Sequence, residues 1–397
     1  MDAHTGLPIV GMVGGGQLAR MTHQAAIALG QSLHVLAAGE NDSAGLVAGK
    51  VVMGEHTDLD ALRAFAAGVD VLTFDHEHVP TEHLRTLVDA GVVVRPGPDA
   101  LLHAQDKLQM RRRLADAGCP VPPFAAVRSP QDLRRFGDEH GWPLVVKAAR
   151  GGYDGSGVWI PETPDEGDVL VRELLDGGMP LLAEQKVSMR RELSALVARS
   201  PFGQGAAWPV VETVQRDGIN TEVLAPAPGL SADAAHDAQE LALRIAGDLD
   251  VVGVLAVELF ETDAGVLVNE LAMRPHNSGH WTMDGARTSQ FEQHLRAVLD
   301  YPLGATDPLA PACVMANVLG APQVPRMGPD ERLHHLLARY PGARVHLYGK
   351  QERPGRKLGH VNFLGGDAAG FGALTERARL AAHWLAHAEW LDGYQIH

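Results

Sequence analysis

The 397-residue sequence predicts a mixed α/β and α+β protein with two or three domains. Three observations support this fold class. Short apolar runs alternate with amphipathic helical segments over roughly the first hundred residues, which is typical of a parallel sheet covered by helices. Farther along, two apolar runs joined by a tight turn predict an antiparallel hairpin. Prolines then break the chain at 120–123 and 302–311 and indicate boundaries between units.

The first domain is predicted at residues 1–105 and resembles a Rossmann-like unit. Its opening strand, Pro8–Val13, runs into three glycines and then into a helix that begins near Gln17. The remaining predicted elements are the strands Leu33–Ala37, Lys50–Met53, Val69–Phe74 and Gly91–Val94 and the helices Leu59–Ala67 and Thr81–Ala90. Strands and helices in this order predict a parallel sheet with helices on both faces.

The second domain is predicted at residues 106–310. A helix around Ala104–Ala117 leads into the first proline cluster. A small unit of strands and one helix follows at about residues 125–195 and contains a glycine-dense loop. We expect this unit to act as a mobile lid.

A long helix and a hairpin complete the second domain. The helix is predicted at Ser231–Leu249, and the hairpin strands at Val251–Phe260 and Gly265–Glu270. After the second proline cluster, residues 311–397 contain short predicted strands and a terminal helix rich in Ala and Leu. We therefore expect a small β-rich C-terminal domain.

Composition excludes several classes of protein. The net charge of −15 argues against a general nucleic-acid binder and against a protein of anionic membrane surfaces. No stretch approaches the roughly 20 apolar residues that a membrane helix needs. Cys119 and Cys313 are the only cysteines, so no disulfide framework is expected and a reducing cytoplasm is the simplest location.

A candidate phosphate site begins at Lys147, which ends a predicted strand. The glycines at 151, 152, 155 and 157 follow it, and they would allow backbone N–H groups to approach phosphate oxygens. The segment is not a Walker loop, because no Gly-Lys-Ser/Thr follows. Taken alone, a glycine-rich loop in a hairpin is more often an ordinary turn than a phosphate site.

Two carboxylates form the candidate metal site. Glu258 and Glu270 each end an apolar run on one of the two hairpin strands, and strand alternation would aim both at the same side. Magnesium prefers a few carboxylates together with phosphate oxygens. The alternative is a pair of solvent-facing acids at strand ends, but their apolar neighbours favour burial.

These segments together resemble the ATP-grasp superfamily. The resemblance rests on Lys147, the loop from Gly152 to Val158, the strand end Glu184-Gln-Lys-Val187 and the hairpin with Glu258 and Asn269-Glu270. It covers roughly residues 105–300. The resemblance implies an ATP-grasp fold, ATP and Mg²⁺ as cofactors, and ligase chemistry through an acyl phosphate.

Three longer strings narrow the resemblance. Val13–Met21, Met273–Thr282 and Arg353–His360 are similar to the family of N5-carboxyaminoimidazole ribonucleotide synthetases. This resemblance implies that ATP and bicarbonate form carboxyphosphate, which carboxylates the exocyclic amine of 5-aminoimidazole ribonucleotide in purine biosynthesis. It also implies a cytoplasmic homodimer with small-molecule substrates only.

The resemblance implies a nucleotide site. Lys107 and Lys147 would bind the phosphates, Glu192 would bind the ribose, and the loop after Lys147 would close over them. The full set of implied nucleotide contacts is Lys107, Lys147, Gly152, Tyr153, Asp154, Gly155, Ser156, Gly157, Val158, Glu184, Gln185, Lys186, Val187, Glu192, Gln215, Asn269 and Glu270. Within it, Glu184 and Val187 would frame adenine, and Glu270 would share Mg²⁺ with Glu258.

The resemblance also implies contacts to the other two substrates. The backbone of Gly16, Gln17 and Leu18 at a helix N-terminus would hold the ribonucleotide phosphate. Positive charge there would come from Arg353, Arg356 and Lys357, and Glu77 would bind the ribose. Tyr153 and Asp154 would touch the imidazole, while the residues expected at bicarbonate and carboxyphosphate are Arg274, His276 and Asn277.

Two other functions stay open from the sequence. One keeps the fold and changes the acid, as in the formate-dependent transformylase of glycinamide ribonucleotide. The other is a nucleotide-binding regulatory protein without catalysis, which the presence of Lys147, Glu258 and Glu270 disfavours.

Overall fold

A computed structural model describes residues 1–152, 156–366 and 370–395 of the chain. Its strands are β1 (Ile9–Val13), β2 (Ser32–Ala37), β3 (Lys50–Met53), β4 (Val71–Phe74), β5 (Phe124–Val127), β6 (Leu144–Ala148), β7 (Val158–Trp159), β8 (Leu181–Gln185), β9 (Arg191–Arg199), β10 (Gly205–Ala207), β11 (Val211–Arg216), β12 (Ile219–Ala225), β13 (Gly253–Thr262), β14 (Gly265–Ala272), β15 (Ala312–Leu319), β16 (Arg344–Leu347) and β17 (Lys357–Gly365). Its α-helices are α1 (Gln17–Ala28), α2 (Leu59–Ala66), α3 (Thr81–Asp89), α4 (Pro98–Gln105), α5 (Lys107–Asp116), α6 (Pro130–His140), α7 (Pro164–Asp176), α8 (Ala232–Asp248), α9 (Thr282–Gly285), α10 (Gln290–Val298), α11 (Pro329–Arg339) and α12 (Phe371–His387), with a 3₁₀ helix at Asn277–Gly279.

The N-terminal sheet is parallel, in the order β3-β2-β1-β4. Its strands β1 and β4 are apolar and almost entirely buried, as helix-covered parallel strands are. The predicted fifth strand, Gly91–Val94, is not formed: the segment makes a single parallel bridge between Leu72 and Val94. Val93 is largely exposed, so this segment does not have the two buried faces of its neighbours.

A large antiparallel sheet dominates the rest of the chain. Its strand order is β14-β13-β9-β11-β12-β15-β17-β16, and β10 pairs with β9 at one side. The last three strands come from the C-terminal region, so that region extends the sheet of the middle region. Helix α8 packs on β9, and α12 packs on β15 and β17.

The predicted lid corresponds to a separate four-stranded sheet in the order β5-β8-β6-β7. Helices α6 and α7 pack on each other and cover an apolar cluster around Leu133, Phe136 and Leu144. This sheet ends at Gln185, and the next strand, β9, belongs to the large sheet. The domain limits predicted from the sequence stay a proposal.

Side-chain caps explain where many helices begin. Asp58, Ser129, Thr163, Ser231 and Ser289 each precede a helix and accept a hydrogen bond from a backbone N–H in its first turn. Such caps satisfy donors that have no partner within the helix.

Asp106 divides the helix that we predicted at Ala104–Ala117. It has an extended conformation, accepts from the Gln109 N–H, and so begins α5 immediately after α4 ends. Lys107 is thereby the first residue of α5, and its N–H donates to the carbonyl of Ala149 at 2.8 Å. The break joins α5 to the end of β6 and brings Lys107 toward the lid.

Across the described ranges, every helix is too short or too polar to cross a membrane.

Candidate active site

A cavity of about 1420 Å³ lies where the lid, the large sheet and the N-terminal domain meet. The predicted residues that line it are Glu77, Lys107, Lys147, Gly152, Val158, Glu184, Gln185, Lys186, Val187, Glu192, Gln215, Glu258, Asn269, Glu270, Arg274, His276, Asn277 and Lys357. Predicted residues from all three regions of the chain therefore meet in one space.

Glu258 and Glu270 are directly opposite each other in the β13–β14 ladder. Opposite residues of an antiparallel pair share one face, and both line the cavity. On its other side, β13 pairs with β9, and Glu258 is opposite Ser194. Glu192 lies two residues before Ser194 on β9. Burial raises the pKa of Glu258 to about 8, and the nearby carboxylates of Glu270 and Glu192 add to this rise. The hairpin therefore places two half-buried acids together where the ionised form of Glu258 is disfavoured.

Basic side chains contact these acids. The Lys107 ammonium lies 2.5 Å from Glu270 Oε1, and His276 Nε2 lies 3.3 Å from Glu258 Oε1. Lys107 and His276 thus occupy positions beside the two acids that a bound cation could take over.

The acid pair suits Mg²⁺ only if other ligands complete its shell. No group of three or more His, Cys, Asp or Glu residues within 1–152, 156–366 and 370–395 could hold a metal ion alone. Mg²⁺ commonly binds through one or two carboxylates and takes its other ligands from phosphate and water. Two opposed carboxylates facing a large cavity fit that requirement.

Lys147 is held by a buried ion-pair network. Its ammonium lies 2.7 Å from Glu184 Oε2 and donates to Asn269 Oδ1 at 3.1 Å. Arg111 donates from Nε to Glu184 Oε1 at 2.6 Å and also bonds the carbonyls of Val268 and Asn269. Burial favours the neutral form of Glu184, but the charges of Lys147 and Arg111 hold its pKa below the ordinary value.

Glu192 and Gln215 form a second polar pair in the cavity. Burial raises the pKa of Glu192, while a hydrogen bond with Gln215 and the charge of Lys147 oppose the rise. Both residues lie on neighbouring strands, β9 and β11, and line the cavity. This position is compatible with the predicted contact to ribose hydroxyls.

The glycine-dense loop is described in part. Gly152 and Val158 line the cavity, whereas Ser156 and Gly157 do not. The predicted contacts at Tyr153, Asp154 and Gly155 lie outside the described residues.

Arg274 forms an ion pair with Glu77, with 2.8 Å between Nε and Oε1. Burial alone would lower the pKa of Arg274, but Glu77 and Asp75 keep it above its ordinary value. The pair joins the loop after β14 to the loop after β4 and carries a permanent positive charge into the cavity.

The three residues predicted to bind the ribonucleotide phosphate through their backbone lie beside Asp75. The Gly16 N–H donates to Asp75 Oδ2 at 2.5 Å. A Cβ at Gly16 would be 2.5 Å from the same oxygen, so any larger residue would displace the Asp75 carboxylate. Gln17 accepts a hydrogen bond from Lys350, and Leu18 is buried. None of the three lines the large cavity as described.

The basic C-terminal segment is divided between two places. Lys357 lines the large cavity, but Arg353 and Arg356 line a separate cavity of about 510 Å³ between residues 39–46 and 349–356. Arg356 donates to the carbonyl of Gln351 at 3.2 Å. Arg353 and Arg356, which were predicted to add positive charge at the ribonucleotide phosphate together with Lys357, therefore do not line the same cavity as Lys357.

His276 is neutral and its tautomer is defined by its neighbours. The Ser278 N–H donates to His276 Nδ1 at 3.3 Å, so the ring proton lies on Nε2, which faces Glu258. Burial and the charges of Arg274 and Lys357 lower the pKa of His276 to about 3. The ring can therefore donate a hydrogen bond without carrying charge.

Asn277 is paired with a residue that the sequence did not reveal. Its amide and that of Asn317 exchange two hydrogen bonds, of 3.0 and 2.8 Å. Asn317 is buried on β15 and also donates to the carbonyl of Asn220 at 2.9 Å. The C-terminal region thus supports a cavity residue of the middle region.

Arg111 was also missed. It lies four residues after Lys107, in a run of three arginines that reads as a solvated helix face. The available signal was its position between Met110 and Leu114, because all three residues are buried on α5. A charged residue within an apolar helix face indicates a buried partner.

Three family models match the chain along its length. They describe a ribonucleotide synthetase preATP-grasp domain at residues 7–105, an ATP-grasp domain at 112–291, and a phosphoribosylaminoimidazole carboxylase C-terminal domain at 313–372. The ATP-grasp match bears out the predicted fold class.

Curated relatives cover nearly the whole chain. N5-carboxyaminoimidazole ribonucleotide synthase of Mycobacterium tuberculosis is 65% identical over 391 residues, covering 98% of this chain and 90% of the relative. The protein of the same name from Corynebacterium ammoniagenes is 50% identical over 407 residues, covering 99% and 96%.

Solved structures agree in fold. The N5-carboxyaminoimidazole ribonucleotide synthetase of Thermus thermophilus superposes with a TM-score of 0.84 at 38% identity, covering 97% of this chain and 100% of that one. The Aspergillus clavatus synthase, solved in complex with ADP and 5-aminoimidazole ribonucleotide, gives 0.84 at 31% identity, covering 94% and 98%.

Proposed function

The chain belongs to the N5-carboxyaminoimidazole ribonucleotide synthase family, and from that premise we propose how its cavity performs the reaction. The protein is an ATP-dependent carbon–nitrogen ligase of purine biosynthesis. It carboxylates the exocyclic amine of 5-aminoimidazole ribonucleotide at the expense of ATP and bicarbonate. The formate-dependent alternative is not favoured, since relatives at 50% and 65% identity carry the name of the carboxylating enzyme.

The observation that carries the proposed mechanism is the shared cavity. Lys107, Lys147 and the acid pair line it together with Glu77, Arg274 and Lys357. A reaction among three anionic substrates needs them close together while their repulsion is offset. The mixture of fixed cations and acids in one space meets both needs.

The chemistry takes two steps. A bicarbonate oxygen attacks the γ-phosphorus of ATP, the bond from that phosphorus to the β-γ bridging oxygen breaks, and ADP leaves. The ribonucleotide amine then attacks the carbon of carboxyphosphate, the C–O bond to phosphate breaks, and the proton that the amine loses leaves with the phosphate. Phosphorylation makes bicarbonate oxygen a leaving group, so the second step becomes possible.

We assign nucleotide binding to the lid side of the cavity. Lys147 would meet the phosphates, and Glu184 with Arg111 would hold its ammonium in place. Lys107 would join it after exchanging Glu270 for phosphate. Val187 and the end of β8 would meet adenine, and Glu192 would meet ribose.

Glu258 and Glu270 would hold Mg²⁺ together with phosphate oxygens. When bound, the ion would neutralise charge on the phosphates and on the acids themselves. Burial and the neighbouring carboxylates of Glu270 and Glu192 raise the pKa of Glu258 and so disfavour its ionised form, which a bound cation would favour.

We assign bicarbonate and carboxyphosphate to Arg274, His276 and Asn277. Arg274 supplies a charge that its pair with Glu77 keeps in place. His276 supplies a neutral N–H donor, and Asn277 an amide of fixed orientation. These three groups can bind bicarbonate and then carboxyphosphate by charge and hydrogen bonds, without giving a proton to either or taking one from it.

Ribonucleotide binding is proposed for the part of the cavity near Glu77 and Lys357. Backbone contacts from Gly16, Gln17 and Leu18 would require the phosphate to compete with Asp75 for the Gly16 N–H. Arg353 and Arg356 would contribute through their field, since they line the neighbouring cavity. A homodimer in the cytoplasm completes the proposal and rests on the family alone.

A substrate-dependence assay tests this function. Purified protein is given ATP, Mg²⁺, bicarbonate and the ribonucleotide, and phosphate release is followed while each component is omitted. We expect release to depend on both bicarbonate and the ribonucleotide. Equal release without the ribonucleotide, or release supported by formate in place of bicarbonate, would contradict the proposal.

A further inference from the structure

The segment that joins β14 to the 3₁₀ helix carries Arg274, His276 and Asn277 into the cavity. It lies outside the sheet ladder, so its backbone N–H and C=O groups need partners elsewhere. The position of three site residues depends on what those partners are.

Gln290, the first residue of α10, pairs with both backbone groups of His276. The His276 N–H donates to Gln290 Oε1 at 2.8 Å, and Gln290 Nε2 donates to the His276 carbonyl at 2.8 Å. Nε2 also lies 3.0 Å from His280 Nδ1, which can accept its second hydrogen. Reversing the amide would put oxygen against oxygen, so the pairing fixes its orientation.

The surroundings allow this side chain little freedom. Gln290 is fully buried, and its own N–H donates to Thr282 Oγ1 at 2.9 Å. Thr282 Oγ1 in turn donates to the Gly279 carbonyl at 2.6 Å. A Cβ on Gly279 would lie 2.3 Å from Gln290 Oε1, so glycine is required for this close approach.

The His276 ring is held through its neighbours on either side. Nδ1 lies 2.8 Å from Ser278 Oγ, and Ser278 Oγ lies 2.8 Å from Ser194 Oγ. Nε2 faces Glu258 at 3.3 Å. Moving the His276 backbone would move the ring away from Glu258 and shift the residues on both sides of it.

We propose that Gln290 is a positioning residue for the carboxylation, holding the backbone of His276 so that Arg274, His276 and Asn277 meet bicarbonate in one fixed arrangement. The inference rests on the function proposed above. Gln290 touches no substrate, because it does not line the cavity. Its effect on the reaction passes through the His276 backbone.

Gln293 provides a matched control on the same helix. It is also fully buried, donates to the Gly304 carbonyl at 2.8 Å and accepts from the Gly304 N–H at 2.7 Å. Its reciprocal pairing is therefore the same in kind, but it holds a loop that does not line the cavity. Replacing Gln293 should cost stability without moving the site.

The first experiment compares Gln290→Met with Gln293→Met in full-length protein. Both variants lose two backbone hydrogen bonds and should show similar falls in the melting temperature. We expect Gln290→Met to lower kcat by about 100-fold, as misplacing reacting groups by an ångström can. Gln293→Met should stay within about threefold of the parent, and KM for ATP should change little in either. Equal losses of kcat in the two variants would overturn the proposal.

The second experiment uses Gln290→Glu and holds even if Gln290→Met does not fold. A protonated carboxyl can accept from the His276 N–H and donate to its carbonyl, as the amide does, whereas an ionised one cannot donate. His280 is the titratable side chain beside it, and in the parent burial keeps the pKa of His280 well below its ordinary value. Either form of the His280 ring leaves an ionised carboxylate at position 290 unable to donate to the His276 carbonyl. We expect kcat relative to the parent to recover as the pH falls. A ratio that is constant with pH would overturn the proposal.

An error in the proposed function and an error in the role of Gln290 would give different results. Should the parent protein release phosphate without regard to bicarbonate and ribonucleotide, the function itself would be wrong. Should the parent depend on both while Gln290 and Gln293 variants behave alike, only the role of Gln290 would be wrong.

Discussion

Glu258 and Glu270 face each other across the β13–β14 ladder, and Lys107 caps the second of them at 2.5 Å. The pair would be costly if it served only the fold, because two carboxylates held close together destabilise each other's ionised forms. Its position in a cavity with Lys147 indicates that the repulsion is relieved by something that enters. A divalent cation accompanied by phosphate is the partner of matching chemistry.

Removing one acid should therefore stop the reaction and leave the fold intact. We expect Glu270→Gln to lower kcat by at least about 100-fold, since a bound metal contributes several kcal/mol to charge stabilisation. Asp263→Asn, in the exposed hairpin turn, is the control and should keep full activity. Steady-state assays and circular dichroism check both. A Glu270→Gln enzyme with normal turnover would place the metal elsewhere.

The buried network behind Lys147 should matter more for stability than surface pairs do. Arg111→Met leaves Glu184 with one partner fewer, and breaking such a pair costs about 3–5 kcal/mol. Arg135→Met removes an exposed pair with Asp132 and should cost within about 0.5 kcal/mol. Chemical denaturation measures both. A similar small loss for Arg111→Met would show that the network contributes no stability.

Replacing Lys357 and replacing Lys147 should raise the KM values of different substrates. We expect Lys357→Ala to raise KM for the ribonucleotide by about tenfold and KM for ATP much less, since a charge-assisted hydrogen bond is worth about 1.5–3 kcal/mol. Lys147→Ala should do the reverse. Equal effects of Lys357→Ala on both constants would misplace the ribonucleotide phosphate.

Asp75 should make stability depend on pH in an unusual direction. Burial raises its pKa to about 6, above that of an unfolded chain, so the folded protein binds the extra proton between about pH 4 and 6. Its contribution to stability is therefore present at low pH and is lost as the pH rises through 6, by on the order of 2–3 kcal/mol. Asp75→Asn keeps an acceptor for the Gly16 N–H and should gain relative to the parent over that window.

Asp70 should make stability depend on pH in the opposite direction. Its hydrogen bond from the Ile9 N–H and its contact with the N-terminal ammonium lower its pKa, so its contribution is present at neutral pH and lost in acid. Asp70→Asn should therefore lose stability relative to the parent as the pH rises. Urea denaturation from about pH 2.5 to 7.5 compares the three proteins, since the Asp70 contribution changes below about pH 4. Parallel curves for Asp75→Asn and the parent would contradict the prediction for Asp75.

Much of the fold followed from local pattern. The N-terminal strands and the β13–β14 hairpin were predictable because alternating elements and a tight turn leave a clear period in the sequence. Strand β15 was missed, since Ala312–Leu319 is buried on both faces and shows no alternation. Strand β5 was hidden behind Pro120–Pro123, and α4 and α5 were merged because the cap at Asp106 lies within one helical pattern.

Some residues of the site could likewise be predicted from the sequence and others could not. Lys147, Glu258 and Glu270 were predictable, because strand ends and alternation decide where their side chains point. Arg111 and Asn317 were not, because their roles come from partners far away in the chain, Glu184 at a separation of 73 residues for Arg111 and Asn220 at 97 for Asn317. Only tertiary structure reveals such pairs.

The proposed mechanism requires that ATP activates bicarbonate in this cavity. Bicarbonate labelled with ¹⁸O, supplied with ATP and the ribonucleotide, tests it directly when the phosphate formed is examined by ³¹P NMR. Attack of bicarbonate oxygen on the γ-phosphorus predicts one ¹⁸O in each phosphate released. Phosphate carrying only oxygen from ATP and water would show that ATP is merely hydrolysed and would contradict the account.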